Sequence, residues 1–440
     1  MRRGQHNKRV IITTMIKIDQ NTIISDEFKL AFETLENGKE NVFLSGKAGT
    51  GKSTFLQYFR QNTKKNIAVV APTGVAALNI NAQTIHSLFR FSPRFIEPEN
   101  IKTDKRKIFR ELNILIIDEI SMVRADVFNG IDCFLKISRK NNLPFGGVRV
   151  CVIGDLFQLP PIVNRDEQNF FAQYYNSPYF FATKAFEEAK FRYIEFTKVH
   201  RQSDPDFVNI LNSIRNGACG SEHLGKLNAR AVQGQNLQEG TLILTTTNAI
   251  ADTTNTKRLA DLPGIAKKYS GEVKGSFGLS GARLPAQEEL IIKKNAQVMF
   301  VKNDSDGRWV NGSIGIVEDF EDDNIRVRTD SGVWNVEREK WKTLAYEFDE
   351  EKEKIVEKTL GTYSQFPLML AWAITIHKSQ GKTLDNVIID LGNGAFAAGQ
   401  LYVALSRCKT LQGITLRKPA AYRDIKCDAR ILDFMTKIAA

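Results

Sequence analysis

The chain has 440 residues, 42% of them hydrophobic and 25% charged, which is enough for two or more domains, each with its own core. No apolar run reaches the ~18 residues of a membrane-spanning helix, and Cys133, Cys151, Cys219, Cys408 and Cys427 never fall at Cys-x-x-Cys spacing, which argues against a zinc site or disulfide framework. The net charge of +11 suits a polyanionic partner, and a cytoplasmic or nucleoid location is expected.

Residues 1–9 are basic, but Val10-Ile11-Ile12 is too short for the apolar core of a secretion signal. Residues 1–19 are therefore read as an N-terminal extension, with 1–14 disordered or upstream of the physiological start. The run Asn41-Val42-Phe43-Leu44 has strand character and leads into Gly46-Lys47-Ala48-Gly49-Thr50-Gly51-Lys52-Ser53, a Gly-x4-Gly-Lys-Ser phosphate loop; a helical recurrence from Thr54 to Phe59 follows. The glycines let loop amides turn inward onto phosphates. Lys52 can reach the β and γ phosphates, and Ser53 can ligate Mg²⁺ at a helix start that favours anions.

Further along, Asn66 to Ala71 is an apolar run ending at Pro72-Thr73. Residues 89–105 hold three phenylalanines, two prolines and several charges without period, which suggests a protrusion within the first domain, spanning about 76–105. Asn113-Ile114-Leu115-Ile116-Ile117 reads as a strand buried on both faces that delivers Asp118 and Glu119 at its carboxyl end. Asp118 would hold Mg²⁺ and Glu119 would polarise the attacking water. The strand Arg149 to Ile153 leads to Gly154-Asp155 and then to Gln158, whose amide can sense a γ phosphate.

These strands make one nucleotide-binding α/β domain over about 20–185. The apolar run Leu242-Ile243-Leu244 ends at Thr245-Thr246-Thr247-Asn248, and a second sheet is expected to begin at Phe191–Phe196 and to resume at Asn386–Asp390 and at Gly413–Leu416, giving a second α/β domain over 186–300 and 364–440. Within it, residues 301–363 contain a stretch, 312–363, that alternates polar and apolar positions with turn residues, as a small antiparallel barrel does.

The blocks Ala71-Pro72-Thr73-Gly74-Val75-Ala76-Ala77, Thr84-Ile85-His86-Ser87, Asp118-Glu119-Ile120-Ser121-Met122, Gly154 to Pro161, Thr375-Ile376-His377-Lys378-Ser379-Gln380-Gly381 and Tyr402-Val403-Ala404-Leu405-Ser406-Arg407 resemble the ordered helicase motifs of superfamily one. The likeness is nearest to the petite integration frequency (Pif) branch, related to the RecD and phage Dda helicases, and runs from about residue 20 to 410.

The resemblance implies two RecA-like P-loop domains, with a pin inserted in the first and an SH3-like β-barrel in the second. It implies ATP and Mg²⁺ as cofactors, 5′-to-3′ translocation on single-stranded DNA and unwinding of forked or tailed duplexes, with RNA–DNA hybrids and G-quadruplexes as further candidate substrates; a monomer is expected. A DNA-stimulated translocase that strips bound proteins with little strand separation is the alternative. Nucleotide contacts are expected from Gly46, Ala48, Gly49, Thr50, Gly51, Lys52, Ser53, Thr54 and Gly381. Arg201 and Arg407 would complete the site from the second domain, beside Lys52, Asp118, Glu119 and Gln158. DNA contacts are expected at Pro72, Thr73, Thr84, His86, Thr246, Thr375, His377 and Lys378, and Phe91, Pro93, Phe95 and Ile96 resemble the pin, with Phe95 as the wedge and a small local core as the other reading. Where related chains carry an adenine-reading glutamine this chain has Phe28, and Gln20 is the substitute candidate.

Overall fold

The computed structural model describes residues 25–439 except 103, 203, 233–240 and 282–283; the extension at 1–19 and Gln20 lie outside the described residues. Six strands, β1 (Asn41–Gly46), β2 (Ile67–Ala71), β3 (Gln83–Thr84), β4 (Ile114–Ile117), β5 (Arg149–Gly154) and β6 (Phe191–Phe196), pair in the order β3-β2-β4-β5-β1-β6, and every pair is parallel. The apolar runs reflect burial on both faces, since alternate side chains enter different cores. Val42 and Leu44 face Phe28, Leu35, Phe55 and Phe59 on one side, while Phe43 joins Phe128 and Phe180 on the other.

β6 corrects the expected boundary at residue 185. It lies alongside β1, with Asn41 opposite Phe191 and Gly46 opposite Phe196, because Ile194 and Phe196 complete the core around Phe28 and Phe55. The protrusion also narrows: Gln83 and Thr84 pair with Val70 and Ala71, so residues 83–84 belong to the sheet.

The second half continues through β7 (Leu242–Thr245), β8 (Lys267–Ser270), β9 (Glu272–Gly275), β10 (Glu289–Ile292), β11 (Gln297–Phe300), β12 (Ile314–Phe320), β13 (Ile325–Thr329), β14 (Gly332–Val336), β15 (Glu339–Asp349), β16 (Lys354–Gln365), β17 (Leu368–Leu370), β18 (Ala373–Thr375), β19 (Val387–Asp390) and β20 (Ile414–Leu416). A second parallel sheet runs β18-β7-β19-β20. The segment expected as one unit at 301–363 divides differently. An antiparallel sheet β14-β13-β12-β11-β17 draws in residues 297–300 and 368–370, because β11 bonds both β12 and β17. The hairpin β15–β16 belongs to another sheet, with β9.

That hairpin reaches the first sheet. The Tyr346 hydroxyl donates to the Val69 carbonyl at 3.1 Å and accepts from the Val69 amide at 3.2 Å, and Arg60 pairs with Glu357. The helix Ala429–Ala439, expected to be part of the second domain, also packs against the first: Phe434 stacks on Phe181 with centroids 4.1 Å apart, and the Tyr179 hydroxyl donates to Asp428. No described helix is long and apolar enough to cross a membrane.

Candidate nucleotide and nucleic-acid site

β1 ends at Gly46, and the chain turns into the helix Lys52–Asn62. At Gly49 the turn needs a φ of +82°, and its carbonyl accepts the His200 amide at 2.9 Å. Lys52 folds back over the loop, its Nζ donating to the Gly46 carbonyl at 2.6 Å and the Lys47 carbonyl at 2.9 Å. Burial holds its pKa below the usual lysine value, against the opposing pull of Asp155, Glu119 and Asp118. Ser53 is exposed in the first turn of that helix, where backbone N–H groups lack intrahelical partners and the dipole favours anions.

The fully buried strand β4 delivers the acidic pair. Asp118 is 9% exposed, and burial, followed by the neighbouring Glu119 charge, pushes its pKa up to about 7. Glu119 occupies the left-handed region at φ 50°, unusual for a non-glycine residue, and burial raises its pKa too. The two carboxylates thus share Lys52, and Arg407 also favours the charge of Glu119. The donor set of hydroxyl and carboxylate oxygens fits Mg²⁺.

Arg201 comes to this loop, against Gly49, and Arg407 comes to Glu119, both from distant sequence. Arg201 Nη1 donates to the Ser406 carbonyl at 3.0 Å, and Gln202 Nε2 donates to the carbonyls of Ser406 and Cys408. Arg407 is 2% exposed; its Nε donates to the Val403 carbonyl and its Nη2 to Ser406 Oγ, each at 2.9 Å. Burial, with Arg201 nearby, lowers its pKa, while Glu119 favours its charge. Gln158 is buried on the loop after β5, and Gly381 is exposed at φ +76°.

Three residues without an assigned role in the sequence reading stand at the centre. Asp155 Oδ1 accepts from Arg215 Nη2 at 3.0 Å, its Oδ2 accepts from the Tyr402 hydroxyl at 3.0 Å, and that hydroxyl accepts from the Ala48 amide at 3.3 Å. Asp155 and Tyr402 lay inside recognisable motifs. Arg215 had no local signal, being the last residue of the amphipathic helix Pro205–Arg215.

The expected DNA-contacting threonines stand at strand ends. Thr73, Thr84 and Thr375 accept the backbone N–H of Ala76, Ser87 and Lys378 on their Oγ1 atoms. A hydroxyl that accepts in this way keeps its own proton to donate to a phosphate. At the end of β7 the residue that accepts in this way is the exposed Thr247, from Ile250; the expected Thr246, like Thr375, is buried. Pro72, His86 and His377 are half-buried and Lys378 is exposed. Burial depresses both histidines below the usual value.

Of the expected pin residues only Pro93 is exposed. Phe95 packs edge-on to Phe170 at 4.9 Å and Phe171 at 5.7 Å and contacts Tyr174 and Tyr175, its amide donating to Glu167. Ile96 is buried and Phe91 stacks on Phe89. The segment has a local aromatic core, and Phe95 is part of it rather than a free tip. Phe28 is likewise a core residue, 6% exposed against Phe55, Tyr58 and Phe196.

Two parallel α/β sheets, with a phosphate loop on one, Arg201 directly after that sheet's last strand rather than in the second domain as expected, and Arg407 supplied from the other half of the chain, define a two-unit P-loop nucleotide-binding protein. Residues 15–224 match the family model for PIF1-like helicases. The chain is 33% identical over 426 residues to the ATP-dependent DNA helicase Pif1 of Bdellovibrio bacteriovorus, covering 93% of this chain and 91% of that protein. It is 35% identical to human ATP-dependent DNA helicase PIF1 over 90% of this chain, and spans 61% of the human protein's length. Its fold matches Bacteroides Pif1 in complex with ADP-AlF4 with a TM-score of 0.88 at 36% identity, covering 95% and 98% of the two chains; the same protein bound to single-stranded DNA matches at 0.69, covering 95% and 97%. The chain belongs to the Pif1 helicase family.

Proposed function

We propose that this chain hydrolyses ATP with Mg²⁺ and uses the cycle to move 5′-to-3′ along single-stranded DNA and to unwind forked or tailed duplexes. One observation carries the reading: Arg201, just beyond the last strand of the first sheet, stands against Gly49 of the loop bearing Lys52, and Arg407, from near the C-terminal end, lies beside Glu119. Arginines at a developing γ-phosphoryl charge accelerate related hydrolases by roughly 10³ to 10⁵. Ser53 and Asp118 would hold the Mg²⁺, which supplies charge neutralisation on the phosphates. Glu119 orients the water, and Gln158 senses the γ phosphate. The relatives' names, ATP-dependent DNA helicase, support the assignment.

The capped strand-end threonines, Thr73, Thr84, Thr247 and Thr375, serve phosphates without reading sequence, which suits translocation. The lower match to the DNA-bound Bacteroides structure than to the ADP-AlF4 complex, at equal identity, fits a cycle in which the units rearrange on DNA. RNA–DNA hybrids and G-quadruplexes remain candidate substrates by family likeness. Packing of Phe95 into a local core favours the second reading, a translocase that displaces bound proteins with little strand separation.

Multiple-turnover ATP hydrolysis with and without single-stranded DNA tests the motor. DNA-stimulated steady turnover is expected. Tight binding of nucleotide and DNA without turnover would instead identify a nucleotide-switched single-strand-binding protein.

A further inference from the structure

The phosphate loop is joined to the second half of the chain through one hydroxyl, which also holds a buried carboxylate. Ala48 sits in the loop, Asp155 ends the β5 segment, and their link is the Tyr402 hydroxyl, which accepts from Ala48 and donates to Asp155. An amide only donates and a carboxylate only accepts, so the single phenolic proton has one available direction. Arg215 takes the other carboxylate oxygen and lays its guanidinium 4.0 Å from the centre of the Phe157 ring. Burial opposes ionisation of Asp155, but Arg215 and Lys52 together outweigh it and hold the group below its usual range.

Tyr402 and Arg407 belong to one small rigid body. The helix Gln400–Leu405 carries the tyrosine, and Arg407 folds back onto it through the Val403 carbonyl. The helix start is pinned as well: Gly399 has φ +71°, and a Cβ there would lie 2.3 Å from the Phe157 carbonyl oxygen and 2.5 Å from that of Gln158. The loop carrying Gln158 and the helix that leads to Arg407 therefore meet at a place where only glycine fits. Moving the helix that carries Tyr402 away must break two bonds of one hydroxyl together, that from the Ala48 amide and that to Asp155, so the contact opens in a cooperative way.

We propose that Asp155, Tyr402 and Arg215 form a positioning relay that registers the phosphate loop against the helix leading to Arg407, and so governs the rate of turnover more than nucleotide affinity. This rests on the hydrolysis reading above. None of the three needs to touch the nucleotide; each acts through the placement of Ala48 and Arg407.

Tyr402→Phe is the informative variant, because the ring and its packing remain and only the hydroxyl goes. Its kcat for DNA-stimulated ATP hydrolysis should fall about tenfold, the scale of one hydrogen bond to a charged group, with KM for ATP changed by less than about twofold. In the Arg407→Lys background, the same substitution should have little further effect, since the guanidinium it positions is already absent. A thermal melt of each variant establishes that it is folded. Asp155→Asn, which strips the charge from Arg215, should lower kcat in the same direction. An unchanged kcat in Tyr402→Phe, or full multiplicativity with Arg407→Lys, would overturn the relay while leaving the hydrolysis reading intact. A wild-type chain with no ATP turnover would overturn both.

Discussion

Gly49 stands directly against Arg201: the Cβ that an alanine would carry at residue 49 falls 2.6 Å from the Cβ of Arg201. This contact places the phosphate loop and an arginine from beyond the first sheet in van der Waals register, and the Gly49 carbonyl accepts the amide of His200 beside it.

Gly49→Ala is therefore doubly unfavourable, through a positive φ and through that close approach. Left-handed backbone at a non-glycine residue costs roughly 1–2 kcal/mol, and the Arg201 backbone must also shift. ATP turnover should drop about tenfold or more in a steady-state assay, with the melting temperature only modestly lowered.

Lys52→Ala and Glu119→Gln should abolish unwinding while leaving binding of single-stranded DNA largely intact, because the proposed DNA contacts are made by other residues, the strand-end threonines. For Glu119→Gln, removal of a water-activating carboxylate is expected to slow hydrolysis by on the order of 10² to 10⁴. Fluorescence anisotropy with a labelled oligonucleotide checks binding. Loss of binding in both variants would mean that these residues are structural.

Phe95→Ala separates two roles. Its ring is half-buried among Phe170, Phe171, Tyr174 and Tyr175, so truncation should cost about 1–3 kcal/mol of stability, less than a fully buried phenylalanine. If the segment also separates strands, unwinding falls at unchanged ATPase rate. Unwinding that persists at an unchanged ATPase rate assigns the ring to the local core alone.

Acid sensitivity follows from His86. Burial, then the Arg124 charge, lowers its pKa from 6.5, with Asp126 opposing. The unfolded chain therefore takes up a proton near pH 6.5 before the folded chain does, so stability falls as pH drops through that value and flattens below the folded pKa. His86→Gln should melt with a weaker pH dependence between pH 7 and 5 than the wild type. DNA affinity should gain nothing from this residue between pH 8 and 7, where the imidazole is neutral.

The parts legible in the sequence were those whose chemistry is local. Lys52 and Ser53 follow glycines at fixed spacing, Asp118 ends an apolar run, and Arg201 and Arg407 lie in recognisable blocks. Membership of a sheet is not local: Phe191–Phe196 reads as a strand from its own residues, but only its pairing with β1 puts it in the first sheet. A one-residue register at the end of β7 decides whether Thr246 or Thr247 caps the next helix, and apolar runs do not specify it. Phe95 carried an apolar side chain in an irregular segment, equally consistent with a tip and a core until Phe170 and Phe171 were brought against it. Arg215 was hidden for the same reason, its partner Asp155 lying 60 residues earlier.

The central claim, that a split nucleotide site drives directional movement on DNA, is tested most directly by ATP-dependent unwinding of duplexes bearing a single-stranded tail on either the 5′ or the 3′ side. Separation of the 5′-tailed duplex, with the 3′-tailed duplex left intact, is the predicted result. Preference for the 3′ tail would contradict the polarity, and robust ATP turnover with neither duplex separated would contradict the helicase reading in favour of a translocase.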